Sequence, residues 1–275
     1  MVAPVAHVNT TADGEASVAD DVILSCQAVS KSFGGLRAVN NCSLGIRPGT
    51  ITGLIGPNGA GKTTLLNLIA GFLRPDAGAI TFEGRAVSRL RPHDVFHRGL
   101  ARTFQVPRPI PTMTVLENLM IGGKNQSGEQ IWNAWLRPGR VERQENEIID
   151  RALWVLEYVN LIHLRDAYAA NLSGGQKKLL EFARTLMVRS RLVLLDEPGA
   201  GVNRVLMQHL VRCIEEQSRA EGATYLIIEH DMDLVARLCN PVIVMSQGTP
   251  IFEGTFDEMS RDQQVLEAYL GSQYR

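Results

Sequence analysis

Three short apolar runs bounded by turn residues stand out along the chain: Ile51-Thr-Gly-Leu-Ile55, Leu192-Val-Leu-Leu195 and Tyr225-Leu-Ile-Ile228. The last two are apolar throughout and suit strands covered on both faces of a parallel sheet. The first is strand-like and is followed by Leu65, Leu66, Leu68 and Ile69 at helical spacing, which predicts strand, turn and helix in succession. From Val22 to Phe104 the rest reads as short strands. Gly34-Gly35, Arg47-Pro48-Gly49 and Arg74-Pro75-Asp76-Ala77-Gly78 punctuate them as turns.

From Val106 to about Val188 the character becomes helical. Pro107, Pro109 and Pro111 form a stiff lead-in, and Gly122 to Gly128 is small and polar, which predicts a loop. Between Glu142 and Val159, the residues Ile148, Ile149, Ala152, Leu153, Leu156 and Val159 fall on one helical face. After Arg191 the α/β pattern returns. Val242-Ile-Val-Met245 and Pro250-Ile-Phe252 read as a terminal hairpin turning at Ser246-Gln247-Gly248. No internal repeat or low-complexity tract is seen. The predicted organisation is a flexible tail over 1–20, an α/β core from 21–105 and 189–275 with an antiparallel N-terminal β portion, and an inserted α-helical subdomain over 106–188.

Composition narrows the function. In 275 residues, 28 Lys and Arg face 29 Asp and Glu, a formal net charge of −1, so nothing pulls the whole chain toward nucleic acid or an anionic surface. Cys26, Cys42, Cys213 and Cys239 are widely spaced without a CxxC pair, which favours buried thiols in a reducing compartment over a disulfide framework or zinc site. No apolar run approaches the roughly 18 residues of a membrane span. The first 20 residues carry Asp13, Glu15 and Asp20 and lack the pattern of a signal peptide, so a cytoplasmic protein is expected.

The strongest chemical signal is Gly56-Pro57-Asn58-Gly59-Ala60-Gly61-Lys62-Thr63-Thr64, placed between the first apolar strand and the helix. Glycines let the backbone wrap phosphates with its N–H groups aimed inward, and the helix N-terminus favours the same anion. Lys62 would reach the β- and γ-phosphates and the Thr63 hydroxyl would hold Mg²⁺. Asp196 and Glu197 follow the second run, at the sheet edge where the loop also lies. Asp196 is a candidate Mg²⁺ ligand and Glu197 a candidate general base. Leu172-Ser173-Gly174-Gly175-Gln176 opens another helix and, with Ser173 as N-cap, makes a second anion site. One nucleotide does not need two cradles on one chain, so this site serves another phosphate or one held across an interface.

The phosphate loop, LSGGQ, the Leu192–Pro198 segment and Ile228-Glu229-His230-Asp231, in this order, resemble the ATP-binding subunits of ABC transporters. The match runs from about Val22 to Gly271, and LSGGQ between two nucleotide motifs is specific to that family. The resemblance implies ATP and Mg²⁺ as ligands and a head-to-tail pair with a second ABC ATPase subunit, either the same chain or a related one. Ser173, Gly174, Gly175 and Gln176 of one cassette would then close on the ATP of the other. It also implies integral membrane permease subunits, indirectly a solute-binding protein, and a peripheral location on the inner face of the membrane; nucleic acid is not an expected partner.

Further roles follow from the same resemblance. Phe33 would stack on adenine with Val39 beside it. Gln105 would sense Mg²⁺ and the attacking water, and His230 would contact the γ-phosphate. Taken alone, Phe33 reads as core and His230 as a structural or exposed residue. Gly199-Ala-Gly-Val-Asn203 departs from the commonest family pattern, which ends in Leu-Asp. That Asn, the Arg102-Thr-Phe-Gln105 segment, the long insert from Gly122 to Asn160 and the ending Glu267-Ala-Tyr-Leu-Gly271 resemble branched-chain amino acid importers, and the insert favours the larger of their two ATPase subunits. Alternatives are the ATPase of a lipid or lipopolysaccharide-type export system, a soluble ABC protein in translation or DNA repair, and a P-loop kinase. The net charge, the single cassette and the signature loop weigh against the last two.

Overall fold

The computed structural model describes residues 22–123 and 138–270; the expected tail over 1–20 and most of the expected Gly122–Gly128 loop lie outside them. Two sheets organise these residues. Strands β1 (Leu24–Phe33), β2 (Leu36–Ile46), β4 (Ala77–Phe82) and β5 (Arg85–Ala86) make an antiparallel sheet ordered β2-β1-β4-β5. The second sheet runs β10-β9-β3-β8-β7-β6, from β3 (Ile51–Ile55), β6 (Leu100–Arg102), β7 (Leu192–Asp196), β8 (Thr224–Ile228), β9 (Val242–Ser246) and β10 (Thr249–Gly254). Its pairs are parallel except the terminal hairpin β9–β10.

The three apolar runs are thus neighbours, as their composition requires. Alternate residues of each strand face opposite sides. Leu54, Leu194 and Leu226 face a core shared with Leu24, Ile46 and Phe82 of the antiparallel sheet. Helix α1 (Lys62–Ile69) fills that space with Leu65, Leu66, Leu68 and Ile69, all fully buried. Each such side chain contributes roughly 1.5–3 kcal/mol on leaving water. Ile55, Val193, Leu195, Tyr225 and Ile227 face the other way, into a cluster that runs on into the helical insert.

After α2 (Pro92–His97), the segment expected as an insert, 106–188, contains α3 (Val115–Met120), α4 (Pro138–Tyr158) and α5 (Gly174–Leu186). The amphipathic face expected between Glu142 and Val159 is present. Ala152, Val155, Leu156 and Val159 are fully buried, whereas Leu153 is only partly so; the buried stripe turns slightly from the expected line. Helix α5 brings Leu179, Leu180 and Ala183 into the same cluster as Leu195 and Ile227, so insert and sheet share one continuous core. Helices α6 (Arg204–Glu221), α7 (Met232–Leu238), α8 (Phe256–Met259) and α9 (Gln263–Leu270) complete the described chain. No described helix is long and apolar enough to cross a membrane.

Candidate functional site

Register decides what meets at the sheet edge. Leu54 pairs with Ile228 and Ile228 with Asp196, so β3, β8 and β7 end together. The phosphate loop, the Asp196-Glu197 pair and His230 leave from those ends. Two glycines show why the loop needs its sequence. A Cβ on Gly56, whose φ is +145°, would lie 2.1 Å from the Met245 carbonyl oxygen, and one on Gly61 (φ +95°) 2.2 Å from that of Ala38. Backbone packed this closely admits no side chain.

A cavity of about 490 Å³ opens over the loop. Asn58, Gly59, Ala60, Gly61, Lys62, Thr63 and Thr64 form its floor, Phe33 stands on one wall, and Glu197 and His230 close the far side. Gly56 and Pro57 are not in the lining; their carbonyls accept from Lys62 Nζ at 2.7 and 3.0 Å. Lys62 is largely buried, and desolvation lowers its pKa against the pull of Glu197 and Asp196.

Val39 does not take the expected place beside Phe33. It is fully buried in the core between the sheets, and Ala38 and Leu36 line the cavity instead. Three successive residues at the start of β2, Leu36, Arg37 and Ala38, line the cavity, and Val39 is the first to turn into the core.

Glu197 is bonded at both carboxylate oxygens. Gln105 Nε2 donates to Oε2 at 2.8 Å, and His230 Nε2 lies 3.1 Å from Oε1. A carboxylate only accepts, so the imidazole carries its proton on Nε2. The Glu197 backbone is left-handed at φ +50°, an unusual conformation for this residue type.

Asp196 lies deeper, in an ion pair with Arg102 at 3.2 Å. Burial raises its pKa and the guanidinium opposes that rise. Its Oδ1 is buried with no partner. Arg102 also donates to Asn67 Oδ1 at 2.6 Å and sits over the rings of Phe72 and Phe104. Arg102 was visible in the segment leading to Gln105, but nothing in the local pattern marks it as the partner of Asp196.

Ser173, Gly174, Gly175 and Gln176 are absent from the cavity lining of their own chain. They open α5 with a complete capping box: Ser173 Oγ accepts from Gln176 N at 3.3 Å, and Gln176 Oε1 from Ser173 N at 2.9 Å. Gly175 is buried beside Val202 and Leu206, while the position a Cβ of Gly174 would take faces open space. Asn203, the departure noted in the sequence, is the N-cap of α6, accepting from Leu206 N at 2.9 Å.

Known proteins resemble this chain in sequence and fold. A family model described as ABC transporter matches residues 39–200, and one described as branched-chain amino acid ATP-binding cassette transporter matches residues 249–275. A probable branched-chain amino acid transport ATP-binding protein LivG of Archaeoglobus fulgidus is 43% identical over 91% of this chain and 96% of its own length. A high-affinity branched-chain amino acid transport ATP-binding protein LivG of Salmonella typhimurium is 38% identical over 90% and 98%. Among solved structures, a nucleotide-free ATP-binding cassette from an ABC transporter superposes with a TM-score of 0.78 at 38% identity, covering 90% of this chain and 98% of that one. A cassette in its ADP conformation gives 0.76 at 36% identity, with coverage of 91% and 99%. The chain belongs to the ATP-binding proteins of ABC transporters and is LivG-like. It is an ABC-type ATPase, whose nucleotide hydrolysis is coupled to transport.

Proposed function

We propose that this chain powers an importer of branched-chain amino acids or related small polar solutes, working as one of two cassettes beneath integral membrane permease subunits supplied by a solute-binding protein. The LivG relatives and the match at residues 249–275 support the solute class. The observation that carries the chemistry is the Glu197 carboxylate, held at both oxygens on the cavity wall.

The residues divide the work. Phe33 offers a ring face to adenine, half exposed at the cavity rim. The loop N–H groups and Lys62 hold the phosphates; Lys62 exchanges its bonds to Gly56 and Pro57 for phosphate oxygens. Glu197 takes a proton from the attacking water as general base, and Gln105 and His230 orient its two oxygens. His230 and Lys62 then stabilise charge on the transferring phosphoryl group. The donor set fits Mg²⁺: Thr63 faces the cavity, Gln105 stands beside Glu197, and Asp196 keeps an unpartnered buried oxygen. When bound, the ion neutralises phosphate charge.

Gly174 faces open space away from its own cavity, which supports a signature turn that closes on the nucleotide of a partner cassette. The dimer closes on two nucleotides and opens after hydrolysis. A groove of about 350 Å³ between core and insert, with Arg108, Asn118, Ile121 and Arg184 along it, is the surface through which a permease would feel that motion. It shares Arg102 with the site, through the ion pair to Asp196. The location that follows is the inner face of the cell membrane.

The test uses a strain lacking the chain. Uptake of radiolabelled leucine, isoleucine and valine is expected to return with the wild-type chain and not with Glu197→Gln. The tagged Glu197→Gln chain, extracted with ATP and Mg²⁺ in mild detergent, is expected to carry a polytopic membrane protein and a second cassette. Restored uptake by Glu197→Gln overturns the general-base role. Recovery of ribosomes or nucleic acid without a membrane protein overturns the transport reading.

A further inference from the structure

Glu197 sits in a left-handed backbone conformation, which is strained for a residue with a Cβ and persists only where surrounding contacts over-determine it. Two side chains outside the expected site supply such contacts. From α5, two residues after the signature turn, Lys178 Nζ donates to the Glu197 carbonyl oxygen at 2.6 Å. From the end of β8, Glu229 Oε1 accepts from Gly199 N at 2.6 Å, and its Oε2 from His230 N at 3.1 Å. Glu229 is 4% exposed. The Glu197 N–H itself donates to Ile228 O at 3.0 Å.

We propose that Lys178 and Glu229 are positioning residues that grip the Glu197–Gly199 turn from two sides and tie the signature helix to the catalytic carboxylate of its own chain. Lys178 approaches from the helix whose first turn is to meet the partner's nucleotide. Glu229 holds the turn and the His230 backbone with one carboxylate, so the Glu197–Gly199 turn and the segment whose His230 side chain bonds Glu197 Oε1 keep a fixed separation. Burial lowers the Lys178 pKa and the charges of Glu229, Glu197 and Asp196 oppose that fall; a charged donor bonds the carbonyl more strongly than a neutral one would. A displacement of α5 as the signature turn engages or leaves a nucleotide is therefore passed through one lysine to the general base. Hydrolysis at a chain's own site then depends on whether its signature turn is engaged at the other.

The inference rests on Glu197 as general base, and Glu197→Gln serves as the reference. In full-length chain assembled with its membrane subunits, Lys178→Met is expected to lower kcat on the order of 10- to 100-fold, the scale of a misplaced catalytic group, with KM for ATP within about twofold of wild type. Neither residue lines the nucleotide cavity, so ground-state binding is left alone. Lys178→Arg, which keeps a charged donor, is expected to restore most of the rate. Glu229→Gln keeps one acceptor for Gly199 but presents an amide to the His230 N–H, and is expected to fall between wild type and Lys178→Met.

Three results would overturn the proposal: Lys178→Met with unchanged kcat, a rise in KM alone, or equal loss of activity and melting temperature in Lys178→Met and Lys178→Arg. Activity retained by Glu197→Gln would instead overturn the general-base role. If Glu229→Gln fails to fold, the two Lys178 variants decide the matter.

Discussion

Arg102 and Asp196 form an ion pair at 3.2 Å in which the side chains are 6% and 1% exposed, with Asp196 one residue before Glu197 on the cavity wall. Breaking a buried pair from one side leaves the other charge without compensation, at about 3–5 kcal/mol. Arg102→Met is therefore expected to lower the melting temperature markedly. With an acidic group left bare within the electrostatic reach of Lys62, saturating ATP and Mg²⁺ should recover more of that loss than they add to the wild type. Thermal melts of both proteins with and without nucleotide check this; equal nucleotide shifts would count against Asp196 as part of the ion site.

The phosphate loop makes a sharper prediction. A Cβ at Gly61 would meet the Ala38 carbonyl at 2.2 Å, and the residue's φ is +95°. Gly61→Ala should lose ATP binding altogether, because the loop must move away from β2 to admit the methyl group. Gly59 also has a positive φ but open space around it, so Gly59→Ala should weaken binding less. Equilibrium titration with a fluorescent ATP analogue ranks the two.

His230 contributes through its Nε2 proton. His230→Ala removes the donor to Glu197 Oε1, and kcat should fall on the order of 10²–10³-fold, the cost of a lost preorganised donor. ATP binding should be nearly unchanged, since the floor of the cavity is intact. Paired kcat and affinity measurements separate the two effects.

Asn203 caps α6, so Asn203→Ala should cost about 0.5–2 kcal/mol, and Asn203→Asp, an equally good cap, should cost little. Denaturant unfolding of the three proteins gives the ranking. ATPase activity of Asn203→Asp then reports separately on whether a charge at this position matters across the cassette pair.

The four cysteines are all buried. Desolvation pushes the thiols of Cys42, Cys213 and Cys239 up to about 12 and that of Cys26 beyond that range. The thiolate is the reactive form, so alkylation of the native protein at pH 8 should be slow at every cysteine. All four should react promptly once the chain is unfolded. Mass spectrometry after timed labelling checks it, and a fast native site would reveal local opening.

Much was readable along the chain because its determinants are local. Strand, glycine loop and helix around Gly56–Thr63 follow from period and turn chemistry within about twenty residues, and so does the Ser173 N-cap. The sheet-forming runs at Leu192 and Tyr225 were legible because strands buried on both faces are apolar throughout. The order of the motifs along the chain sufficed to indicate the family; of the residues expected around the nucleotide, Phe33, Asn58 to Thr64, Glu197 and His230 line one cavity and Val39 does not. What the sequence could not decide depends on which strands and helices become neighbours. Arg102 meets Asp196 across 94 positions and Gln105 meets Glu197 across 92, distances over which only the parallel register of β6 and β7 brings them together. Val39 turned into the core and left Ala38 at the cavity for the same reason: the facing of a strand residue is set by what packs against each side of the sheet. Lys178 and Glu229 carry no local signature. Their place at the Glu197–Gly199 turn arises only when helix α5 and the end of strand β8 pack on either side of it.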